Sequence, residues 1–368
     1  MFYTGGIFSG EKAFNFVYDC GGGIRHINRA VKSYFERIAD KGVDLIVLSH
    51  LHEDHINGVK KLLGLIEKSG NTKKPRIVMP YSNRVMNLLY EYEYITKFGH
   101  DDSISEYYND PIRAIKEVNK NCEILLIASD LEAALGDAEE DGMIFRYSND
   151  FRGLNEHVYS DVFKLEKHHG SKEYSNVYLA QSLSDIISSV NWHFELFQPN
   201  FNLAQYNQFK ELFRENGIKE AKDLFYKKSV LREIRKKRLG LNDSCIVMHH
   251  WFESIIGPGS TVLTGDLPET DENCIRKRIA LKQEQRPFVY QIPHHGAKQR
   301  LSSQIIDSEF SVVSYGCNNR YGHPDSNTIK EYMKKSCIIP VNENRCFSYG
   351  IRSSYLHEMS WEIRQCLQ

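Results

Sequence analysis

Three histidines and an aspartate lie within six positions of this chain, in the pattern His50-x-His52-x-Asp54-His55, directly after the apolar run 43–48. The apolar run is typical of a buried strand, and the residues that follow the cluster are typical of the start of a helix. Because side chains two residues apart on an extended backbone point the same way, His50 and His52 can face one metal ion. Asp54 and His55 begin the next turn and can face a second ion.

Imidazole and carboxylate groups both suit zinc, and a carboxylate also suits manganese. A set of histidines in a solvated loop is the alternative interpretation. The concentration of ligands at one strand end favours a metal site. Such a metal site requires a fold in which the ends of several strands bring side chains together at one edge of a sheet.

Three later predicted strands also end at ionisable groups, which are Asp266, the pair His294-His295, and His323 after Gly322. Ligands brought together from strand ends make a metal site with open coordination positions, where bound water can lose a proton near neutral pH. Asp266 could bridge two ions. Its alternative role is to cap a helix starting near Glu269.

The order of the other elements is an alternation of strands and helices, which predicts a layered α/β domain. The acidic stretch 130–141 is expected to be a solvated loop, and residues 203–238 show one long helical pattern. Residues 337–341 and 344–349 are expected to form a closing strand pair.

Composition excludes several classes of protein. Apolar residues make up 41% and charged residues 26% of the 368 residues, as in ordinary globular proteins. Apolar runs fall short of a membrane span, and the N-terminus lacks the features of a signal peptide, so a cytoplasmic location without membrane contact is expected. The eight cysteines include no C-x-x-C pair, which indicates reduced thiols. A net charge of −1 predicts no global attraction to nucleic acid.

A local basic surface is nevertheless predicted near the end of the 203–238 pattern, where Phe225 and Tyr226 lie among lysines and arginines. Such a stripe can bind a phosphate backbone, although interspersed acidic residues also fit a solvated helix face. The candidate nucleic-acid contacts are Lys228, Arg235, Lys236, Lys237 and Arg238.

Taken in order, these motifs resemble those of the metallo-β-lactamase superfamily. The shared motifs are Asp19-Cys20-Gly21, His50-x-His52-x-Asp54-His55, Gly265-Asp266 and Pro293-His294-His295-Gly296. More narrowly, the chain resembles the branch that contains the soluble domain of the competence protein ComEC. The motifs of that branch are Asn242-Asp243-Ser244, Leu263-Thr264-Gly265-Asp266, His294-His295-Gly296-Ala297-Lys298 and Asn319-Arg320-Tyr321-Gly322-His323-Pro324.

The resemblance implies a four-layer αββα sandwich that holds one or two divalent ions, Zn or Mn, with a metal-bound hydroxide as nucleophile. It implies a single domain over 1–368, with a large, mostly helical insertion at about 81–240 and a core formed by 1–80 and 190–350.

The resemblance also implies roles for the site residues. His50, His52 and Asp266 would hold the first ion, and Asp54, His55, Asp266 and His294 the second. Among the catalytic candidates Asp54, His295 and His323, one of the two histidines would contact the leaving oxygen or donate a proton.

The sequence departs from the family pattern in three places. Many members carry a further histidine shortly before the Gly-Asp motif, where this chain has only His249 and His250 inside a predicted strand. The stretch 168–172 echoes the later His-His-Gly motif, although surface histidines are the favoured interpretation there. The start is short, so Met1–Phe8 is either an edge strand or a region covered by a partner or a second copy.

The most direct functional hypothesis is a metal-dependent phosphodiesterase or nuclease that acts on nucleic acid or nucleotides. Hydrolysis of a carbon ester, lactone or β-lactam is an alternative that uses the same centre. A metal-stabilised accessory subunit, docking through its N-terminal edge or its insertion as a homodimer or with another protein, is a third alternative.

Overall fold

The structure is a computed structural model, in which the described residues are 1–38, 41–71, 73–99, 102–148, 151–152, 162–168, 176–187, 191–199, 201–237, 241–252, 259–268, 274–278, 286–298, 305–317, 319, 321–353 and 359–367. Among them, no helix is long and apolar enough to span a bilayer.

The first sheet has eight strands in the order β1-β2-β3-β4-β5-β8-β7-β6. The pairs from β2 to β5, and β5 with β8, are parallel. Its strands are β1 (Phe2–Ser9), β2 (Lys12–Cys20), β3 (Leu45–Val47), β4 (Arg76–Pro80), β5 (Glu123–Ile127), β6 (Met143–Ser148), β7 (Val162–His168) and β8 (Val177–Ala180).

The second sheet has seven strands in the order β15-β14-β13-β12-β11-β10-β9, and a separate ribbon pairs β16 with β17. The strands are β9 (Ser182–Ile187), β10 (Trp192–Phe197), β11 (Val247–Phe252), β12 (Ser260–Leu263), β13 (Val289–Gln291), β14 (Phe310–Ser314), β15 (Cys337–Val341), β16 (Arg345–Ser353) and β17 (Met359–Leu367).

Ten α-helices begin and end within the described residues. They are α1 (Ile24–Ile38), α2 (Glu53–Ile56), α3 (Val59–Lys68), α4 (Arg84–Phe98), α5 (Asp102–Asn109), α6 (Pro111–Val118), α7 (Leu131–Glu140), α8 (Leu203–Glu215), α9 (Lys228–Lys237) and α10 (Ser326–Met333). Short 3-10 helices cover Ala221–Tyr226, Leu241–Ser244 and His294–Gly296.

Three apolar clusters show how these elements stack. Leu45 and Val47 of β3 pack with Phe194 of β10 in a core between the two sheets. Ile46, between them in sequence, points the other way and packs with helix residues such as Val31. On the far side of the second sheet, Tyr332 of α10 packs in a third cluster. The layers are therefore helix, sheet, sheet and helix, which confirms the αββα prediction; β3 is apolar on both faces because both are covered.

The segment 81–240 carries helices α4–α9, and it also supplies strands to the sandwich. Strands β5–β8 extend the first sheet, and β9 and β10 extend the second. Strands β7, β8 and β9 are short and gave little signal in the sequence. Its boundaries as an insertion into a family core remain a prediction.

Two predictions of local structure are wrong. The acidic stretch 130–141 forms α7, which Asp130 caps by accepting a hydrogen bond from the backbone N–H of Ala133. Ala134 and Ala138, one helical turn apart, are buried beneath its charged face. The long helix over 203–238 is also wrong: α8 ends at Glu215, and Gly217 then adopts a left-handed φ of +65°.

The expected pairing of 337–341 with 344–349 is wrong as well. β15 pairs in parallel with β14, whereas β16 pairs with β17. At the other end of the chain, β1 is the edge strand of the first sheet, as one of the two alternatives for Met1–Phe8 predicted. Seven of the described cysteines are thiols that form no disulfide, as the cysteine pattern predicted: Cys20, Cys122, Cys245, Cys274, Cys317, Cys337 and Cys346.

Candidate metal centre

Loops from both sheets converge at one edge of the sandwich to form the candidate centre. The loop after β3 carries His50 and His52, and it is joined to the second sheet where the N–H of Ile246 donates to the Ser49 carbonyl at 2.8 Å. The loop after β12 approaches so closely that a Cβ on Gly265 would lie 2.6 Å from Ser49 Oγ, and the φ of this glycine is +57°. A glycine is therefore required beside Asp266.

The ligand atoms form two clusters, each with all its atoms within 4.8 Å of one another. One consists of His50, His52 and Asp266, and we call it cluster one. The other consists of Asp54, His55 and His295, and we call it cluster two.

Asp266 lies between the two clusters. Its Oδ2 is 3.9 Å from Nε2 of His50, while its Oδ1 is 3.2 Å from Nε2 of His55 and 3.3 Å from Nε2 of His295. On the far side of cluster two, Oδ2 of Asp54 lies 3.4 Å from Nε2 of His295. One carboxylate thus offers an oxygen to each cluster, as expected of a bridging ligand.

Several of these atoms are buried without a hydrogen-bond partner, namely Nε2 of His50, His55 and His295 and Oδ1 of Asp266. A single orphaned polar atom costs about 1–3 kcal/mol, so four converging on one point are unfavourable unless another group satisfies them. Imidazole nitrogens and carboxylate oxygens are the donors that Zn and Mn prefer. The residues therefore fit one or two divalent ions.

Asp19 fixes the ring of His55 in cluster two and, through Ser49, the ring of His50 in cluster one. This buried aspartate ends β2 with a φ of +54°, and it accepts hydrogen bonds from the backbone N–H and the hydroxyl of Ser49. Nδ1 of His55 lies 2.8 Å from Oδ2 of Asp19, and Nδ1 of His50 lies 3.0 Å from Ser49 Oγ. Donation from both Nδ1 atoms leaves Nε2 of each ring facing the cluster as a ligand.

The remaining histidines are oriented by other elements. His295 Nδ1 lies 2.7 Å from the Ser314 carbonyl at the end of β14, so its Nε2 also faces Asp266. His52 differs, because its Nε2 lies 3.3 Å from Oε2 of Glu93 on α4. This contact leaves Nδ1 of His52 as the free ring nitrogen.

The charges of the centre favour a bound cation. Burial, with a further contribution from His55, holds the pKa of His50 well below its ordinary value, so His50 is neutral. Burial also opposes protonation of His55, but Asp266 and Asp19 outweigh it and raise its pKa to about 10. Burial disfavours the Asp266 carboxylate, yet His295 and His55 hold its pKa well below the usual range. The negative charge of Asp266 and Asp19 that holds a proton on His55 would equally attract a metal cation in place of that proton.

The structure places His295, rather than His294, in cluster two. His294 lies 3.9 Å from Oδ2 of Asp266, and its side chain is 37% exposed. The sequence argument favoured His294 because it comes first after the strand. Both residues have a left-handed φ, +48° and +55°, so the chain turns sharply there and strand order does not decide which ring points inward.

His323 lies at the outer side of the centre. Its ring centroid is 5.7 Å from that of His294 and 6.4 Å from that of His295. Burial and the neighbouring His294 lower its pKa. It is in neither ligand cluster.

Neither candidate for an additional histidine ligand falls in a cluster of the described residues. His250 lies in the core between the sheets, with its ring centroid 5.1 Å from that of Phe16. The echo motif at 168–172 lies outside the described residues apart from the backbone of His168. Beside cluster one, Tyr90 packs on His52 and its hydroxyl lies 2.9 Å from that of Ser244.

The basic surface predicted near residue 230 is present on α9. Lys228, Arg235, Lys236 and Lys237 are exposed, while Val230 and Ile234 are buried, and Arg238 lies outside the described residues. Lys236 is partly neutralised by Glu233 at 2.6 Å. Nearby, Tyr226 is 86% exposed.

Phe225 connects this surface to the helix that carries Glu93, because its ring lies 4.8 Å from that of Tyr92 on α4.

A family comparison agrees with this geometry: the sequence profile described as the metallo-beta-lactamase superfamily matches residues 9–69, which contain Asp19 and the histidine turn. Over these residues the chain is similar to the metallo-β-lactamase superfamily. The branch resembling ComEC stays a prediction.

Relatives with a known name are similar to this chain over a short stretch. Ribonuclease Z of Borreliella burgdorferi (strain ZS7) is 34% identical over 65 residues, which are 18% of this chain and 19% of the relative. Ribonuclease Z of Clostridioides difficile (strain 630) is 35% identical over 78 residues, which are 21% and 24% of the two chains. The matches thus span about a fifth of the length of these relatives.

Sequence reasoning missed two residues that support the centre. Asp19 was noted only as part of a family motif, although a carboxylate at the end of a strand before three glycines is a detectable signal. Glu93 gave no signal, because nothing in the sequence shows that α4 packs beside the histidine turn.

Proposed function

We propose that this protein is a metal-dependent phosphodiesterase that acts on nucleic acid or nucleotides. The observation that carries the proposal is that Asp266 of cluster one also lies 3.2 Å from His55 and 3.3 Å from His295 of cluster two, at a point where four buried polar atoms form no hydrogen bond. Divalent ions held by these residues would supply Lewis acidity, an activated water and charge stabilisation for cleavage of a phosphodiester.

The protein's own residues have separate tasks in this proposal. His50, His52 and Asp266 hold one ion, and Asp54, His55, His295 and Asp266 hold the other. Asp19 fixes the ring of His55, and Glu93 fixes that of His52. His323, outside both clusters, contacts the leaving oxygen or donates a proton to it.

Two observations favour a phosphodiester over a carbonyl substrate. The relatives that match are named ribonuclease Z, and the matches cover about a fifth of their length. In addition, the exposed basic residues of α9 lie on a helix that follows the Phe225 and Tyr226 segment, and this segment packs on α4 beside the centre. A negatively charged chain is therefore the substrate whose electrostatics match the surface.

The test is a screen of the purified protein supplemented with Zn or Mn. The substrates are bis-p-nitrophenyl phosphate, single- and double-stranded DNA, RNA, and nitrocefin. We expect metal-dependent cleavage of the phosphodiesters and loss of this activity with a chelator. Cleavage of nitrocefin without any phosphodiester cleavage would contradict the proposal, as would full activity of protein shown by elemental analysis to be free of metal.

A further inference from the structure

Tyr321 is an exposed aromatic side chain at the mouth of the metal centre. Its exposed fraction is 62%, although it belongs to the same loop as His323. Isolated exposed aromatics are common on proteins and need no explanation by themselves. Tyr321 differs from such isolated aromatics because Asn319, His323 and Lys97 surround it.

The side chain of Asn319 forms hydrogen bonds with residues on both sides of Tyr321. Asn319 donates hydrogen bonds from Nδ2 to the carbonyls of Gly316 and His323, both at 2.7 Å, and its Oδ1 accepts from the N–H of His323 at 3.0 Å. These bonds span Tyr321 on both sides. The exposed ring therefore lies next to backbone that Asn319 anchors at His323, and such anchoring lowers the entropic cost of binding a ligand there.

A row of stacked rings connects Tyr321 to cluster two. The Tyr321 and His323 centroids are 5.8 Å apart with an angle of 17° between the ring planes, and His323 is in turn 6.4 Å from His295. A group stacked on Tyr321 would therefore lie close to a phosphate bound at the clusters.

A cation from the opposite side of the mouth completes the arrangement. Nζ of Lys97 on α4 is 5.8 Å from the centroid of Tyr321, and it lies 3.8 Å from Oε2 of Glu93, which contacts His52 of cluster one. The Lys97 side chain is 43% exposed, so it can rotate toward an incoming anion. An aromatic face and an ammonium group thus lie together beside the candidate centre.

We propose that Tyr321 is the stacking platform for the nucleobase next to the scissile phosphate, with Lys97 beside the adjoining phosphate. The inference rests on the proposed function and narrows it to substrates whose base is free to leave its neighbours, as in a single strand or at an end. Every base has a π face, so such a platform selects nucleotides without reading sequence.

The test compares two substrates that release the same nitrophenolate. One is the p-nitrophenyl ester of thymidine 5′-phosphate, and the other is methyl p-nitrophenyl phosphate, which has no base. Replacing Tyr321→Leu is expected to lower the ratio of kcat/KM for the nucleoside ester over the methyl ester by about 5- to 150-fold. Tyr321→Phe keeps an aromatic face and is expected to retain most of the ratio.

A second readout is the binding of thymidine 5′-phosphate as a competitive inhibitor, which we expect Tyr321→Leu to weaken by a similar factor. The matched control is Tyr147→Leu, since Tyr147 on β6 is 59% exposed and lies in another part of the molecule. We expect this variant to leave both esters and the inhibitor unaffected.

If Tyr321→Leu leaves the ratio of the two kcat/KM values unchanged, even with an equal loss for both esters, the stacking role is overturned. The proposed phosphodiesterase activity then still stands. A wild-type protein that cleaves neither ester overturns the proposed function and the stacking role together. A loss in Tyr321→Phe as large as in Tyr321→Leu also overturns the stacking role, because the aromatic face is then not the feature that matters.

Discussion

The two ligand clusters share Asp266 but are supported in different ways. In cluster two, His55 is held by the fully buried Asp19, and His295 by a backbone carbonyl of β14. In cluster one, His52 is oriented by Glu93, whose side chain is 43% exposed on α4. The difference shows that the histidines of cluster two are supported from the ends of β2 and β14, whereas His52 of cluster one depends on a helix that packs beside the sheets.

This contrast has a consequence for metal affinity. Groups that orient a ligating histidine typically change metal affinity by 10–100-fold when they are replaced. A buried carboxylate and a backbone carbonyl are more rigid supports than an exposed glutamate. We therefore expect cluster two to bind its ion more tightly than cluster one.

The largest effect is expected from removing one ligand of each cluster. The double variant His52→Ala with Asp54→Ala should lose bound metal and reduce phosphodiester cleavage to background. Both positions lie in the turn outside the apolar cores, so the chain should remain folded. Elemental analysis and circular dichroism check these outcomes, and full activity of the folded double variant would refute the metal centre.

Asp19→Asn tests the support of cluster two. The amide keeps the shape but loses the charge that holds His55, so we expect about a 10–100-fold loss of affinity for the tighter ion, measured by metal titration. Asp137→Asn is the control, because Asp137 is a buried aspartate that pairs with Lys210 at 2.6 Å in another region. Equal losses in the two variants would show a general effect of buried charge.

Glu93→Gln tests the support of cluster one. We expect about a tenfold loss of affinity for the weaker ion only, since Glu93 is one of several groups around His52. Glu91→Gln is matched to it, because Glu91 lies on the same helix and is buried. A loss of the tighter ion in Glu93→Gln would contradict the difference between the two clusters.

The smallest effect is expected from reversing charges on α9, whose residues are far in sequence from both clusters. Lys228→Glu with Lys237→Glu should weaken binding of single-stranded DNA and reduce the slope of log affinity against log salt by about 1–2. The same charge change on α1, Arg29→Glu with Lys32→Glu, is the control. An unchanged slope would mean that the basic face of α9 is solvated surface and that only the centre contacts substrate.

The sequence predicted the parts of the site that are local in the chain. His50, His52, Asp54 and His55 lie within six positions after an apolar strand, and Asp266 follows another strand, so spacing alone indicated a metal site. The four-layer sandwich followed from the strand and helix alternation together with the family resemblance.

The parts that depend on tertiary packing could not be predicted in this way. The choice between His294 and His295 depends on left-handed backbone at both residues, and the role of Glu93 depends on where α4 packs. The acidic α7 was not predicted as a helix because its buried residues are two small alanines and an aspartate, which carry a weak apolar signal.

The central claim is that two clusters sharing Asp266 each hold an ion. Its most direct test is calorimetric titration of demetallated protein with Zn, compared with the variant Asp266→Ala. We predict two ions per chain, bound in two distinguishable steps, and a loss of affinity in both steps when Asp266 is replaced. A stoichiometry of zero, or binding that Asp266→Ala leaves unchanged, would contradict the account.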